Sequence, residues 1–332
     1  MLEVKNSPHA IFQEIKETVE TLFGIHLRHP EAIHLGYLNL KWKVETEDGL
    51  VVIKQISKER YLRHDYQKVS LEQDVALREQ LRQYTNGTRC PKVWTRHNKV
   101  IYKTKSGERF IIMEYMEGKN LMPGTLNEKQ MYSLGQMTGH MHNVSNDGTH
   151  SMEGSPKFLP PSIAQRLDHW ESFYKKADLE DEFLDLVEKQ IQATEQFNLD
   201  WLHSCETGWA HRDLWVDNIL FNEDELAAIL DFDRFAFDYP EMDLARGIYV
   251  RVVKGKAFNL ESASAFLEGY RTRRHLEKGT FVRALYLLWW LESVWWVVPH
   301  CNKDRYQEVQ FQNEMMWLAD HLPQLSSMFG NW

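Results

Sequence analysis

The sequence predicts an α+β fold with a small antiparallel sheet near the N-terminus and a mostly helical remainder. Residues 32–56 carry two strand-like runs around the turn Glu47-Asp48-Gly49, a pattern typical of a β-hairpin. Beyond about residue 125 apolar side chains recur mainly at helical spacing, and a second hairpin pattern lies between 209 and 245. Strands followed by helices are typical of the α+β class.

Composition narrows the classes of partner. The chain has 332 residues, with 39 basic against 48 acidic side chains and a net charge of −9. A mildly acidic chain without a Lys/Arg stripe argues against nucleic acid or an anionic membrane as a partner. The net charge is compatible with a cationic acceptor, but most acidic residues of a protein of this kind only solvate its surface. The sequence does not indicate an oligomeric state.

The cysteines and the apolar segments predict a cytoplasmic protein. Cys90, Cys205 and Cys301 are far apart and form no C-x-x-C pair, so neither a disulfide framework nor a zinc site is indicated. The N-terminus lacks the continuous apolar core of a signal peptide. The most apolar segment, Ala284 to Val298, is too short to span a bilayer and contains Glu292.

The first third of the chain predicts a helix, a sheet and a second helix. Apolar residues at helical spacing indicate a helix over 8–23, strands are expected over 42–46, 50–56, 90–93, 100–103 and 110–113, and a helix over 64–84. Lys54 is a single cation inside the apolar strand Val51-Val52-Ile53-Lys54 and therefore needs an opposite charge. Glu72 and Glu79 on the following helix are the two candidates.

The middle of the chain predicts helices and one long loop. Thr125 and Glu128 have capping-box spacing, and the helix they open should bury Met131, Leu134, Met137 or Thr138, and Met141. His140 and His142 on that helix are two residues apart and face different sides, so a structural role is expected rather than a shared metal ion. Residues 143–163 form a predicted loop that either borders the acceptor site or only connects helices, followed by helices over 163–176 and 181–203.

The C-terminal helical region is rich in tryptophan. Two doublets, Trp289-Trp290 and Trp295-Trp296, lie on one predicted helix and cannot all face a single core. Glu292 lies between them. It is either an acid that meets a substrate or a solvent-facing glutamate on an amphipathic helix.

The hairpin predicted between residues 209 and 245 has polar side chains at both of its outer ends. Apolar runs at 218–221 and 226–230 flank the polar turn 222–224, and a hairpin returns its outer ends to one edge. Asp213, Asn218 and Asp231 should therefore converge. Carboxylate and amide oxygens suit Mg²⁺ bound to a triphosphate, because this ion takes few ligands from protein. Asn218 and Asp231 are the predicted ligands, and Asp213 is left to orient a hydroxyl and take its proton.

These residues resemble a known family. The spacing H-x-D-x-x-x-x-N from His211 to Asn218, followed by Asp231-Phe232-Asp233, resembles the kinase catalytic and metal loops. Together with Pro240-Glu241-Met242-Asp243-Leu244-Ala245 it is similar to the aminoglycoside phosphotransferase and choline kinase-like family. The resemblance implies a bilobal protein-kinase-like fold, with a nucleotide-binding lobe over 1–116 and a catalytic and acceptor-binding lobe over 117–332. It also implies ATP and Mg²⁺ as cofactors and transfer of the γ-phosphoryl group to a hydroxyl of a small molecule.

The same resemblance assigns further residues. Gly36 and Asn39 lie in the segment that would cover the nucleotide phosphates, and Lys54, held by Glu72, would reach the α and β phosphates. The carbonyl of Glu114 and the N–H of Met116 would meet adenine at the hinge between the lobes. Asp243 and His211 would brace the catalytic loop through buried hydrogen bonds.

Two residues depart from the family pattern, and two questions stay open. Arg212 replaces a common glycine and is expected to pair locally with an acid, and Trp215 stands where some kinases place a cation. Homoserine, choline-like amino alcohols, sugars, aminoglycosides and macrolides are all acceptors of enzymes of this build, and the fold does not choose among them. The alternative function is a non-catalytic nucleotide-binding or scaffold protein. It should lack at least one of Lys54, Asp213, Asn218 and Asp231, yet all four are present.

Overall fold

The computed structural model describes residues 7–34, 39–57, 66–150, 154–176, 179–254, 257–299, 306–330 and 332. The helices are α1 Pro8–Phe23, α2 Tyr66–Thr85, α3 Glu128–Ser145, α4 Ile163–Glu171, α5 Asp181–Glu195, α6 Asp200–His203, α7 Pro240–Val252, α8 Leu260–Arg271, α9 Thr280–Trp296, α10 Tyr306–His321 and α11 Leu325–Phe329. The strands are β1 Arg28–Ala32, β2 Lys41–Thr46, β3 Gly49–Ile56, β4 Tyr102–Lys103, β5 Arg109–Glu114, β6 Gly208–Ala210, β7 Ile219–Asn222, β8 Glu225–Ile229, β9 Ala236–Asp238, β10 Val253–Lys254 and β11 Ala257–Phe258. The predicted α+β class is confirmed.

The chain forms two compact units. The first contains residues 1–120 together with 217–222 and 226–234, and the second contains 121–216, 223–225 and 235–332. The first unit therefore includes most of the hairpin that sequence analysis places in the later part of the chain. The predicted domain boundary at residue 116 stays a prediction.

The first unit is built on an antiparallel sheet with strand order β1-β2-β3-β5-β4. In the central strands Trp42 opposes Ile53, and Ile53 opposes Ile112. Apolar side chains of α1, including Ile15 and Val19, are fully buried in one cluster with these strands. The expected strand over 90–93 is absent among these described residues, where Val93 forms only an isolated bridge with Met113.

Local capping explains where two helices begin. Helix α1 has the predicted bounds, because Ser7 caps its first turn and Gly24 ends it in the left-handed conformation with φ of 70°. Helix α3 begins differently from the prediction. Its capping box is Asn127 with Gln130, whereas the Thr125 hydroxyl donates to the Met122 carbonyl and so belongs to the preceding turn.

The second unit is mostly helical. Helices α3 and α8 approach closely, and a Cβ atom on Gly135 or Gly269 would overlap a carbonyl of the facing helix. The predicted helix over 181–203 is two helices, because the Asn198 side chain accepts a hydrogen bond from the Asp200 N–H over 2.9 Å and forms a local turn. Within the described part of the chain, none of the helices combines the length and apolarity needed to cross a membrane.

The four tryptophans of α9 face different surroundings, as the sequence predicts. Trp289 and Trp290 are buried, whereas Trp295 is 45% exposed and meets the ring of Phe158 edge-on. Trp296 stacks on Phe311, with ring centroids 4.2 Å apart. A helix that carries two adjacent aromatic pairs therefore serves both the core and the surface.

Candidate active site

The hairpin formed by β7 and β8 brings two predicted metal ligands together. The Leu230 N–H donates to the carbonyl of Asn218 over 2.8 Å, so Asn218 and Asp231 are neighbours at the open end of the hairpin. Asp231 adopts the left-handed conformation with φ of 57°, a region that costs a non-glycine residue about 1–2 kcal/mol. Such strain at a polar residue is often found at functional sites.

Both edges of this hairpin are attached to the rest of the first unit. On one edge Lys119 and Phe221 exchange two main-chain hydrogen bonds of 2.9 and 3.0 Å, and the Asn120 amide donates to the carbonyls of Asp217 and Ile219. On the other edge the Ile229 N–H donates to the carbonyl of Arg89 over 2.8 Å. The hairpin is thus a fixed part of the same unit as the five-stranded sheet.

Lys54 meets the open end of the hairpin. Its ammonium lies 3.0 Å from Asp231 Oδ1 and 2.8 Å from Asp233 Oδ2, and its side chain is only 3% exposed. Burial alone would lower the pKa of Lys54, but the two carboxylates outweigh it and raise this pKa, so the ammonium stays charged. Asp233 follows the second strand of the hairpin, and the sequence pattern gives it no role of its own. The feature of the sequence that could have indicated its contact with Lys54 is its position two residues after Asp231.

The sequence predicts a glutamate of α2, either Glu72 or Glu79, as a further partner of Lys54. Glu72 is half-buried on α2, and its contact with Lys54 remains a prediction. The other candidate, Glu79, binds Arg82 and Gln83, each over 2.7 Å.

The remaining predicted nucleotide contacts lie around the same sheet. The Asn39 side chain accepts a hydrogen bond from the Ser57 N–H over 3.1 Å, which ties the segment before β2 to the end of β3. Gly36 falls outside the described residues. At the predicted hinge the Glu114 N–H donates to the Lys92 carbonyl over 2.9 Å, so β5 positions the residues up to Met116. The adenine contacts of Glu114 and Met116 stay predictions.

In the second unit Asp243 organises the segment that carries Asp213. Its carboxylate accepts hydrogen bonds from the N–H groups of His211 and Arg212, both over 2.7 Å, and lies 3.1 Å from Nε2 of His142. Burial raises the pKa of Asp243, but its bonds to the histidines and the main chain outweigh this and lower it. Asp243 therefore stays ionised, and its expected bracing role is present in the structure.

Asp213 is oriented by the same segment. Its N–H donates to Nδ1 of His211 over 3.3 Å, and its side chain is half-buried. His142 is held between Asp243 and the Tyr270 hydroxyl, 2.9 Å away, which agrees with the structural role expected for it. Asp213 and Asp231 belong to different compact units, and the convergence of their carboxylates remains a prediction.

The two departures from the family pattern have local explanations. Arg212 adopts φ of 68°, which explains why glycine suits this position, and its guanidinium pairs with Asp238 over 2.6 Å as predicted. Trp215 packs on Phe311 with centroids 4.3 Å apart, within an apolar cluster that includes Val216 and Val250.

Glu292 is neither solvent-facing nor free of protein partners. It pairs with Arg246 and accepts a hydrogen bond from Nε1 of Trp296 over 3.0 Å, and its side chain is 14% exposed. Arg246 also binds the buried Glu314 over 2.7 Å. Of the two alternatives for Glu292, the solvent-facing one is wrong, because α7 and α10 bring charged side chains that the local sequence pattern does not reveal. Contact of Glu292 with a substrate stays a prediction.

The donor set suits Mg²⁺ held partly by phosphate. Among the described residues no three histidine, cysteine or acidic side chains are grouped so as to hold a metal ion. The open end of the hairpin carries the side chains of Asn218 and Asp231, with the carboxylate of Asp233 close to Lys54 beside them. This small number of protein oxygens fits an ion whose other ligands are water and phosphate.

Comparison with known proteins decides the family. The model of the phosphotransferase enzyme family matches residues 29–276. The chain belongs to this family. The match covers the five-stranded sheet, the hairpin and the Asp243 helix, so the predicted resemblance is confirmed.

Curated relatives include several homoserine kinases. The chain is 28% identical to homoserine kinase of Rhizobium etli over 208 residues, which is 61% of this chain and 60% of that protein. It is 25% identical to homoserine kinase of Zymomonas mobilis over 246 residues, which is 68% of this chain and 72% of that protein. The first of these matches thus spans less than two thirds of the relative.

Solved structures with the same fold cover nearly the whole chain. A spectinomycin phosphotransferase solved with ADP and spectinomycin has a TM-score of 0.62 at 14% identity, covering 94% of this chain and 98% of its own. An amicoumacin kinase solved with AMP-PNP and Ca²⁺ has a TM-score of 0.58 at 16% identity, covering 95% of this chain and 94% of its own. These likenesses show the protein-kinase-like α+β fold that the sequence predicts.

Proposed function

We propose that this protein is a Mg²⁺- and ATP-dependent kinase that phosphorylates a hydroxyl group of a small molecule. The observation that carries this proposal is the Lys54–Asp231–Asp233 cluster at the open end of the hairpin. A buried, charged lysine beside two carboxylates offers a cation for phosphate oxygens and an anion for Mg²⁺ in one place.

Each residue has a role in this proposal. Lys54 binds the nucleotide phosphates, Glu72 supports it, and Asn218 and Asp231 hold Mg²⁺, which neutralises phosphate charge when bound. Gly36 and Asn39 belong to the segment over the phosphates, and the main chain of Glu114 and Met116 binds adenine.

Asp213 acts on the acceptor. Its carboxylate accepts a hydrogen bond from the acceptor hydroxyl and takes the proton as the oxygen attacks the γ-phosphorus. The bond from that phosphorus to the bridging oxygen breaks, and its electron pair leaves with ADP. Asp243 and His211 accept hydrogen bonds from the N–H groups of residues 211 to 213 and so hold the main chain that leads to this carboxylate, which reduces the reorganisation needed for reaction.

The acceptor is the least restricted part of the proposal. The relation to homoserine kinases makes homoserine the first acceptor to test, and a solved structure of the same fold holds the antibiotic spectinomycin. We infer that the acceptor is a small hydroxylated molecule. We also infer that the protein is cytoplasmic and uses the cellular ATP pool.

A panel assay tests the function. Purified protein with Mg²⁺ and ATP is incubated with homoserine, choline-like amino alcohols, sugars, aminoglycosides and macrolides, and ADP release is measured together with the mass of the product. We expect one class to stimulate ADP release and to gain one phosphoryl group. Binding of Mg·ATP without transfer to any acceptor would instead support the non-catalytic alternative.

A matched pair of variants tests the role of Asp213. Asp213→Ala should lower turnover by on the order of a hundred- to ten-thousand-fold while Mg·ATP binding persists. Asp224→Asn is the control, since Asp224 lies at the turn of the hairpin, where it pairs with Lys129 over 2.8 Å. Substantial turnover by Asp213→Ala would refute the assignment.

A further inference from the structure

A second lysine lies beside Lys54. In the antiparallel register of β2 and β3, Lys41 is directly opposite Lys54. Directly opposed residues of an antiparallel pair project to the same face of the sheet. The next pair along the strands, Trp42 and Ile53, points the other way into the core beneath α1. Lys41 and Lys54 therefore share the face that meets the hairpin end.

Both lysines approach the same carboxylate. Lys54 contacts Oδ1 of Asp231 at 3.0 Å, and the ammonium of Lys41 lies 3.9 Å from Oδ2. The distance from Lys41 exceeds that of a hydrogen bond, and its side chain is 22% exposed against 3% for Lys54. Lys54 is enclosed by acids, whereas Lys41 is held more loosely and remains accessible.

Two like charges opposite each other on adjacent strands destabilise a sheet. Burial and the charge of Lys54 lower the pKa of Lys41, while Asp231, Asp233 and Asp217 oppose that change. A lysine that only balanced surface charge would not need to lie beside a second lysine. Asp231 and Asp233 offset this repulsion, and the ammonium of Lys41, which lies further from Asp231 than that of Lys54, can also meet an anionic ligand.

We propose that Lys41 is a second phosphate-binding residue, which together with Lys54 holds the polyphosphate of the nucleotide. This inference rests on the proposed function. Mg·ATP is an anion, and Asp231 and Asp233 add further negative charge around it. The single positive charge of Lys54 does not balance the negative charge of the phosphates and the two carboxylates. The ammonium of Lys41, on the same face of the sheet, reduces the repulsion between these anionic groups.

The test compares ligands that differ only in their phosphates. Binding of adenosine, AMP, ADP and ATP, with Mg²⁺ present, is measured by isothermal titration calorimetry for the wild type and Lys41→Met. We expect adenosine affinity to be retained within about two-fold and ATP affinity to fall about ten- to one-hundred-fold, the range for one charge-assisted hydrogen bond. Lys41→Arg should keep part of the ATP affinity because it keeps the charge.

Lys43→Met is the matched control. Lys43 is two residues along the same strand, and its ammonium lies 4.8 Å from the centre of the Tyr115 ring and 3.9 Å from Glu31. Its removal should leave the ratio of ATP to adenosine affinity unchanged. Lys41→Gln provides a second neutral variant if Lys41→Met does not fold.

The outcomes separate this inference from the proposed function. An unchanged ATP-to-adenosine ratio in the neutral Lys41 variants, or an equal loss of both ligands, overturns the role of Lys41. A wild-type protein that binds no adenine nucleotide overturns the proposed function itself. A loss that grows from adenosine to ATP only in the Lys41 variants supports the inference.

Discussion

The guanidinium of Arg251 donates a hydrogen bond over 2.9 Å to the main-chain carbonyl of Leu214. Leu214 directly follows Asp213, and Arg251 is almost fully buried on α7. The same nitrogen also reaches the carbonyls of Arg246 and Gly247. The buried guanidinium of Arg251 thus donates to three main-chain carbonyls. One of them, that of Leu214, belongs to the segment that carries Asp213, the predicted catalytic acid.

Arg251→Met should therefore loosen this segment. Removing the donor leaves the Leu214 carbonyl buried without that partner, and we expect the free energy of unfolding to fall by about 1–3 kcal/mol. Urea denaturation measures this loss, and Arg251→Lys should show a smaller one because it keeps a donor. Equal stability of Arg251→Met and wild type would contradict the role of this hydrogen bond.

The backbone conformation of Arg212 predicts a difference in stability between Arg212→Gly and Arg212→Ala. Its left-handed conformation favours glycine, and both Arg212→Gly and Arg212→Ala lose the pairing with Asp238. We expect Arg212→Gly to be more stable than Arg212→Ala by about 1 kcal/mol, because only alanine retains the strain at a Cβ. Urea unfolding of the two variants at the same pH checks this order, and a more stable Arg212→Ala would refute it.

Asp238 predicts a pH dependence of stability. Burial raises the pKa of Asp238 to about 6, although Arg212 opposes the rise. Because the folded state binds this proton more tightly than the unfolded state, the stability it contributes is present below the unfolded pKa and is lost as pH rises through about 6. Wild type should therefore lose stability relative to Asp238→Asn between pH 4.5 and 7.5. Thermal unfolding at both pH values measures the difference, and a constant difference would contradict the shift.

The ion pairs of Arg246 with Glu292 and Glu314 predict that substitutions of Arg246 and Glu314 lower the free energy of unfolding by different amounts. Arg246 neutralises both Glu292 and the buried Glu314, so Arg246→Met leaves two carboxylates without that cation. Breaking a buried ion pair by removing one partner typically costs about 3–5 kcal/mol. Glu314→Gln should cost less, because the Arg246–Glu292 pair persists and burial already raises the pKa of Glu314. Equilibrium unfolding in urea compares them, and an equal loss would argue against a shared cation.

Much of the local structure follows from the sequence. Helix α1, both strands of the β2–β3 hairpin and the later β7–β8 hairpin lie within a few residues of the predicted bounds. Their signals are side-chain periodicity and turn residues, which act between neighbours along the chain. Where two local signals compete, as at Thr125 and Asn127, the sequence pattern does not show which side chain takes the cap.

The sequence alone therefore determined the family, the hairpin and the identity of the residues at its ends. Only the tertiary structure decided which charges meet: Asp231 lies 177 residues from Lys54 along the chain, and Glu292 is paired with Arg246 of another helix. Periodicity specifies which face of an element is apolar, but not which distant element covers it. A buried charge takes whichever opposite charge the packed fold brings near, since desolvation penalises every arrangement that leaves it alone.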